Sequence, residues 1–297
     1  VFFSFEGTGF VSVRNSQNIL VAITPILLMG LGQTFVIIAG GIDLSVGWVM
    51  GLASVASALV IRDTVSLLTV EAERQGLSSV FHSVFTAIGA GGAPEIFAII
   101  LGIIMGVGVA CVAGLINGVI VAKLRVPPFI VTLGLSFVAR GTALLLSGGN
   151  IVGGQPTMLR DFGNESLFYL VRGEQKAFYI LNRPELTGNE LRLLDRILPW
   201  PVVIWIVLAV IMAFVLRSTQ FGRHTYAIGG NKEAALRAGI PVDSHLIKLY
   251  VLSGFTTGIA GVLNTARYSG GSSIAGDPLL MSSIAAVVIG GVSLFGG

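Results

Sequence analysis

Apolar residues form seven long runs that are separated by polar segments, and this alternation is the strongest pattern in the sequence. The runs cover residues 18–39, 44–61, 96–121, 129–146, 201–216, 246–266 and 279–295. Crossing roughly 30 Å of hydrocarbon takes about 20 apolar residues in a helix, which is the length of these runs. Because lipid offers no hydrogen-bond partner to the backbone, we predict an α-helix for each run, interrupted only where glycine pairs break it inside the protein.

The composition agrees with a membrane location. Hydrophobic residues make up 54% of the chain, charged residues only 11%, and the mean hydropathy is +0.88. A soluble domain of this length could not cover its surface with so few charges. We therefore predict an all-α, polytopic transmembrane helical bundle that forms a single domain over residues 1–297.

Basic residues indicate the orientation of the bundle, because Lys and Arg favour cytoplasmic loops. Lys123 and Arg125 follow the third run, and the loop at about 217–248 holds five basic residues against two acidic ones. We expect these two loops to be cytoplasmic. The N-terminal segment, the inserts at about 62–95 and 147–200, and the link at 267–278 then lie outside, and seven spans alternate without a leftover.

Both outer inserts contain apolar stripes that predict short helices at the outer membrane interface. In the second insert, residues 187–190 have the form of a capping box, and Leu191, Leu194, Ile197 and Leu198 place an apolar stripe on a helix ending at Trp200. A second stripe covers residues 77–88. The alternative for both is a contact surface for a soluble partner.

Small residues recur at four-residue spacing in three pairs inside two of the runs: Gly102 with Gly106, Gly114 with Gly118, and Gly254 with Gly258. Such pairs let helix backbones approach closely in lipid, where no hydrophobic force drives helices together. We therefore predict close helix packing at these glycines. The single cysteine, Cys111, lies within a run and is read as another small packing residue.

Polar residues within the apolar runs are candidates for a functional site, because an ionised side chain near the bilayer centre costs about 2.5 to 3.5 kcal/mol on the gentlest scale. The structural interpretation is an internal ion pair or a cap on a broken helix, and the functional one is a substrate path or gate. Both remain open. The candidates for the path or gate are Gly40, Gly41, Asp43, Ser45, Asn117 and Arg140.

A weak internal repeat supports the functional interpretation. Residues 36–47 read VIIAGGIDLSVG, and residues 286–297 read AVVIGGVSLFGG. Paired broken helices often mark the substrate path of secondary transporters. A chance match between two glycine-rich segments is the alternative.

Enzyme chemistry finds little support in the sequence. Of the three histidines, His82 lies in the first outer insert and His224 and His245 lie 21 residues apart in the loop at 217–248. None has cysteine or carboxylate at metal-ligand spacing, and no nucleophile elbow accompanies them. The phosphate-binding sequence G-x-x-x-x-G-K-[ST] is also missing, so ATP hydrolysis would have to come from another chain. We expect neither a catalytic residue, nor a metal, nor a cofactor. A stand-alone secondary transporter or channel is the alternative, and it would need more membrane-embedded ionisable groups than Asp43 and Arg140.

Four blocks resemble the permease subunits of ATP-binding cassette importers for ribose and related simple sugars. They are LGQTFVIIAGGIDLSVG (31–47), GLINGVIVAKLRVPPFIVTLG (114–134), FGRHTYAIGGNKEAALRAGI (221–240) and SSIAAVVIGGVSLFGG (282–297), in the order that the family has them. The resemblance implies a bundle of about ten spans in the inner membrane that works as a homodimer by alternating access. Its expected partners are a cytoplasmic ATPase subunit, a periplasmic or extracellular sugar-binding protein and membrane lipid.

The resemblance also implies where the chain is incomplete. The sequence begins at Val1 without Met and ends directly after an apolar run, and we expect both ends to be truncated. On the family's pattern the first span and about two spans at the end are missing, and the two outer inserts are longer than in ribose permeases. The sequence does not identify the sugar.

The same resemblance assigns coupling to the ATPase to Gly229, Gly230, Asn231, Lys232, Glu233, Ala234, Ala235 and Gly239. The residues themselves favour a short capped helix, because Asn231 can cap its start, Glu233 suits the first turn and Gly239 can end it. We therefore predict a rigid two-turn rod from Asn231 to Gly239. An ordinary loop helix is the alternative.

Overall fold

The computed structural model describes residues 12–75, 93–171, 177–181, 184, 194–294 and 296. Its helices are α1 (Val13–Ile38), α2 (Val46–Gln75), α3 (Ala93–Lys123), α4 (Pro128–Ser147), α5 (Thr157–Asn164), α6 (Trp200–Ser218), α7 (Gln220–Gly230), α8 (Lys232–Arg237), α9 (Val242–Tyr268) and α10 (Leu280–Ile289). Within the described ranges, six of these are long and apolar enough to cross a membrane: α1, α2, α3, α4, α6 and α9. The predicted helical bundle is confirmed, and these six match the first six runs.

Helix α9 lies at the centre of the bundle and packs against α1, α2 and α3. Glycines make the closest of these contacts possible. A Cβ atom at Gly114 or Gly118 of α3 would clash with the backbone of α9 at Tyr250 and Ile247, and one at Gly254 would clash with Ala110 of α3. The close packing predicted from the glycine spacing is confirmed.

The seventh run, 279–295, is not a complete span, and this prediction was wrong. Its helix, α10, has ten residues, which extend only about 15 Å. The preceding link does not stay outside, because Gly271 lies against Ser54 of α2 and Gly276 lies against Gly47. A short 3-10 turn, Asp277–Leu279, then leads into α10. Hydropathy could not separate a half-helix inside the bundle from a span, because both are equally apolar.

The insert at 147–200 forms a small three-stranded sheet with the order β2-β1-β3. Its strands are β1 (Ser166–Val171), β2 (Ala177–Ile180) and β3 (Leu194–Pro199), all antiparallel. The predicted helix ending at Trp200 was therefore wrong over residues 194–199. Pairing with β1, for example Phe168 opposite Ile197, decides the conformation there, because a helical stripe of leucines can equally line a strand. The capping box at 187–190 and the stripe at 77–88 lie outside the described residues.

We call the end of the bundle where α9 ends the outer end, and the end where α9 begins the inner end, following the charge-based orientation. The segments α7 and α8 then lie at the inner end, and the small sheet lies at the outer end. These two ends frame the candidate site.

Candidate functional site

Helix α1 ends at a glycine whose backbone only glycine adopts readily. Gly40 has φ +77°, and its N–H donates to Ile37 (2.9 Å), while the N–H of Gly41 donates to Val36 (2.9 Å). This pattern is the Schellman motif that commonly closes helices. The chain then continues without helical structure until α2 begins at Val46. We call residues 40–45 the break.

Asp43 lies in the break with only 2% of its surface exposed. Its Oδ1 accepts hydrogen bonds from the backbone N–H of Ser45 (3.0 Å) and from the Ser45 hydroxyl (2.6 Å). Its Oδ2 accepts one from the hydroxyl of Ser253 in α9 (2.8 Å). Among the described residues Asp43 makes no salt bridge, so hydrogen-bond donors balance its buried carboxylate and the internal ion pair considered from the sequence is not found.

Asn117 of α3 fixes the direction of these hydrogen bonds. Its Nδ2 donates to the Ser45 hydroxyl oxygen (2.9 Å). Because a hydroxyl has one proton, Ser45 then directs that proton to Asp43. The hydrogen bonds therefore run from Asn117 through Ser45 to Asp43. We call these three residues and Ser253 the Asp43 network.

Two further side chains hold the backbone of the break. Gln33 of α1 donates through Nε2 to the carbonyl oxygen of Asp43 (3.2 Å), and the N–H of Leu44 donates to Thr132 of α4 (3.1 Å). Gln33 and Thr132 are buried, as are Asn117 and Ser253. Four helices, α1, α3, α4 and α9, therefore contribute polar contacts to the break. Moving any of these helices would strain the break.

The structure brings together five of the six candidates for the path or gate. Gly40, Gly41, Asp43 and Ser45 form the break, and Asn117 contacts it. Arg140 lies elsewhere: it is exposed on α4, and its guanidinium carbon lies 4.7 Å from the centroid of the Trp48 ring. This is a stacking contact on the surface of the bundle.

Sequence reasoning missed three residues of this site: Gln33, Thr132 and Ser253. Each is a polar residue inside an apolar run, and that is the signal that drew attention to Asp43. Small polar residues such as Thr and Ser are common in membrane helices, where they bond to their own backbone. For that reason their sequence position alone could not distinguish these three.

A second break mirrors the first. Gly291 has φ +96°, and its N–H donates to Val288 (3.0 Å), while the N–H of Val292 donates to Val287 (3.3 Å). These are the hydrogen bonds of Gly40 and Gly41 at the end of α1. The internal repeat is therefore present as two helix breaks of the same kind, although the geometry pairs Gly40 with Gly291 where the sequence alignment pairs it with Gly290.

Gly296 lies between the end of α7 and the first break. A Cβ atom on Gly296 would lie 2.8 Å from the carbonyl oxygen of Gly229 and 3.3 Å from the Cα atom of Gly40. Nearby, the rings of Phe35 in α1 and Phe221 in α7 lie 6.1 Å apart. The end of α7 therefore contacts Gly296, and through Gly296 it is connected to Gly40 of the first break.

The rod predicted from Asn231 to Gly239 is present as α8. Asn231 caps it by accepting from the N–H of Ala234 (2.9 Å), Glu233 lies in its first turn, and Gly239 follows it with φ +81°. The rod lies on the surface except at Ala235, which is 4% exposed. Gly229 and Gly230 belong to the end of α7, so they precede the rod. Lys232 and Leu236 are exposed along it.

A second contact fastens α7 to α9. The hydroxyl of Thr225 and Nε2 of His245 lie 2.9 Å apart, and the rings of Phe221 and His245 pack at 4.5 Å. The contact leaves His245 4% exposed. Helix α7, which carries α8, is thus fixed to the same helix that supplies Ser253 to the Asp43 network.

Comparison with known proteins gives consistent matches. A family model described as "Branched-chain amino acid transport system / permease component" matches residues 15–297. The chain is 32% identical to the fructose import permease protein of Rhizobium meliloti over 98% of its own length and 67% of that protein. It is 33% identical to the ribose import permease protein of Bacillus subtilis, over 99% of the chain and 73% of that protein.

A third relative is the D-allose transport system permease protein of Escherichia coli, which is 29% identical over 100% of the chain and 73% of that protein. The chain thus aligns along nearly all of its length with proteins that are longer than itself. No solved structure was found to match the chain.

Proposed function

The chain belongs to the family of branched-chain amino acid transport system permease components, and from this membership we propose that it is the permease subunit of an ATP-binding cassette importer for a simple sugar. Relatives named for the import of ribose, fructose and D-allose align with nearly the whole chain. It is a multi-pass protein of the inner membrane, with six membrane-spanning helices in the described ranges. The match of the family model over residues 15–297 is the observation that carries this assignment.

A permease of this class needs partners. ATP hydrolysis comes from a separate ATPase subunit, and a binding protein delivers the sugar. We assign a second copy of the permease as the other half of the membrane body. The contact surface for the ATPase is α8, because it is short, capped at Asn231 and exposed at Lys232, Glu233 and Leu236. A short rigid helix transmits the motion of a partner as a rigid body.

The proposed mechanism links α8 to the break. When the ATPase closes around nucleotide, α8 moves and carries α7 with it. Because the end of α7 contacts Gly296, and Gly296 in turn contacts Gly40, this motion is passed to the first break. The Asp43 network then releases Ser253, and the helices around it rearrange so that the path opens to the other side. In this mechanism Asp43, Ser45 and Asn117 act as a gate.

Reconstitution of the full-length protein tests the proposal. The permease, its ATPase and its binding protein are incorporated into liposomes, and uptake of radiolabelled ribose, fructose, allose, xylose and arabinose is measured with and without ATP. Uptake of at least one sugar that requires both ATP and the ATPase supports the proposal. Uptake by the permease alone, driven by an ion gradient, would instead establish the alternative of a secondary transporter.

A further inference from the structure

A cavity of about 620 Å³ with both apolar and polar lining residues lies near the outer end of the bundle, apart from the Asp43 network. It is enclosed by α1, by α9, by the start of α6 and by the segment 270–279. We call it the outer cavity. Tyr268, which lines it, is 68% exposed, so the cavity opens at the outer end. Its volume falls within the range of about 300 to 1,000 Å³ that is typical of small-molecule sites.

Asn264 is the most informative residue of the outer cavity. Its side chain lines the cavity and is only 8% exposed. Within the part of the chain that the structure describes, its carboxamide makes no hydrogen bond. Most polar side chains at buried positions are paired, so an amide that has no protein partner and lines a cavity is available to a ligand. The cavity therefore holds a buried group that offers two donors and an acceptor to whatever enters.

Helix α1 and the segment 270–279 contribute further polar atoms to the cavity lining. Pro25 interrupts α1 beside the cavity, and because proline has no N–H, the carbonyl of Val21 loses the donor that a helix normally supplies. Thr24 donates its hydroxyl to Leu20 (2.8 Å) and keeps its oxygen available as an acceptor. Ser272 is fixed by its backbone N–H, which donates to Ser54 (3.2 Å), while its side chain remains at the cavity wall.

The charge of the lining indicates a neutral ligand. Among the described residues, those around the cavity include one charged side chain, Arg267, and no carboxylate. Arg267 lies at the rim, one turn of α9 above Asn264, with its guanidinium carbon 5.7 Å from the centroid of the Tyr268 ring. The interior thus presents amide, hydroxyl and carbonyl groups together with an aromatic rim. A sugar matches this surface, because its hydroxyls both donate and accept and its C–H faces pack on aromatic rings.

The floor of the cavity is apolar. Leu263 and Leu279 line it from below, and Leu263 belongs to a buried cluster formed with Leu28, Met29, Val46, Met50 and Ala260. Ser253 of the Asp43 network lies eleven residues before Asn264 on α9, a distance of about 16 Å along the helix axis. The apolar cluster connects the two regions, because Leu263 lines the cavity and Val46 directly follows the break.

Building on the proposed function, we propose that the outer cavity receives a neutral monosaccharide inside a single permease subunit, with Asn264 as its polar anchor. The sugar binds there before the apolar cluster and the Asp43 network open. Asn264 and Ser272 contribute to the choice of sugar, and Arg267 orients the sugar at the rim.

Thiol labelling of the full-length protein tests this site directly. Asn264→Cys is introduced into a Cys111→Ala background, and labelling by a membrane-impermeant thiol reagent is followed with and without each of the five radiolabelled sugars used for uptake. The expected result is that Asn264→Cys is labelled and that a transported sugar slows labelling at least about fivefold. Absence of labelling, or labelling unaffected by every sugar, would overturn the proposal. Ser272→Cys provides a second position if Asn264→Cys does not fold.

Uptake by the reconstituted importer separates this site from the function as a whole. Asn264→Ala should reduce uptake at low sugar concentration about tenfold, which corresponds to the loss of one or two hydrogen bonds, and high sugar concentration should restore it. Thr257→Val is the matched control, since Thr257 is a buried residue of α9 that does not line the cavity. If the wild type transports no sugar, the proposed function fails; if it transports sugar and Asn264→Ala is unchanged, only the cavity assignment fails.

A charged sugar serves as the remaining test. If gluconate protects Asn264→Cys and neutral sugars do not, the ligand is an anion held by Arg267, and the assignment to a neutral monosaccharide is wrong.

Discussion

The Asp43 carboxylate, which is bonded to α9, and the Asn264 carboxamide, which belongs to α9, differ in the number of hydrogen bonds that they make. Asp43 accepts three hydrogen bonds from Ser45 and Ser253, whereas Asn264 makes none within the described chain. A buried polar group that is fully paired resists rearrangement, and one that is unpaired is available to a ligand. This difference indicates that the Asp43 network rearranges only when the ATPase drives it, whereas the outer cavity binds the sugar.

The largest expected effect comes from removing the acceptor at the centre of the network. Asp43→Ala leaves three buried donors without an acceptor, each at a cost of about 1 to 3 kcal/mol, and we expect uptake to fall by about two orders of magnitude or more. The measurement is ATP-dependent uptake at matched protein levels in the membrane. Asp43→Asn keeps an acceptor oxygen and should be less severe. Undiminished uptake by Asp43→Ala would show that the network is not a gate.

The breaks at Gly40 and Gly291 give the next largest effect. Both have positive φ (+77° and +96°), which costs other L-residues roughly 1 to 2 kcal/mol. We expect Gly40→Ala and Gly291→Ala each to lower the melting temperature and to reduce uptake about five- to thirtyfold, the factor that such a cost corresponds to. Gly108→Ala is the control, because Gly108 also has open space around it but no positive φ. Equal behaviour of all three variants would mean that the breaks carry no special role.

A pair of serine variants sharpens the comparison itself. Ser253→Ala removes one donor to the Asp43 carboxylate and should destabilise the protein by about 1.5 to 3 kcal/mol. Ser272→Ala removes a hydroxyl that lines the cavity and should change stability by less than about 0.5 kcal/mol, while raising the sugar concentration needed for half-maximal uptake. Thermal unfolding in detergent and uptake at several sugar concentrations measure the two effects. If Ser272→Ala destabilised the protein and Ser253→Ala changed only the sugar concentration needed for uptake, the assignment of gate and binding site would be wrong.

The smallest effect is expected at the start of α8. Asn231→Ala removes the cap on the N–H of Ala234, which costs about 1 kcal/mol of helix stability. A frayed rod transmits motion less well, so uptake should fall about two- to fivefold while ATP hydrolysis by the partner continues. Asn231→Ser retains the cap and should behave like the wild type. A parallel loss in both variants would point to a role of Asn231 other than capping.

The sequence predicted most of the membrane body because long apolar runs leave the backbone no option other than helix. It predicted α8 for a local reason as well, since Asn231 and Gly239 determine where a short helix starts and ends. Within the site, Asp43 stood out because a carboxylate among apolar residues is rare.

The parts that the sequence did not predict depend on contacts between distant segments. Residues 194–199 became a strand because β1 lies beside them, and residues 271–276 entered the bundle because glycines allow them to pack against α2. Ser253 joined the site only because α9 passes the break, 210 residues away along the chain. Neither hydropathy nor spacing contains that information.

Crosslinking from α8 tests whether a neighbouring ATPase moves this bundle through its inner end. Leu236 is 63% exposed on α8, and Leu236→Cys in a Cys111→Ala background carries a photoactivatable thiol reagent in the full-length protein. We expect this variant to capture the ATPase subunit in inside-out vesicles, and we expect impermeant reagents to reach it only from that side. Failure to capture a nucleotide-hydrolysing protein, or labelling from the outside, would contradict the account.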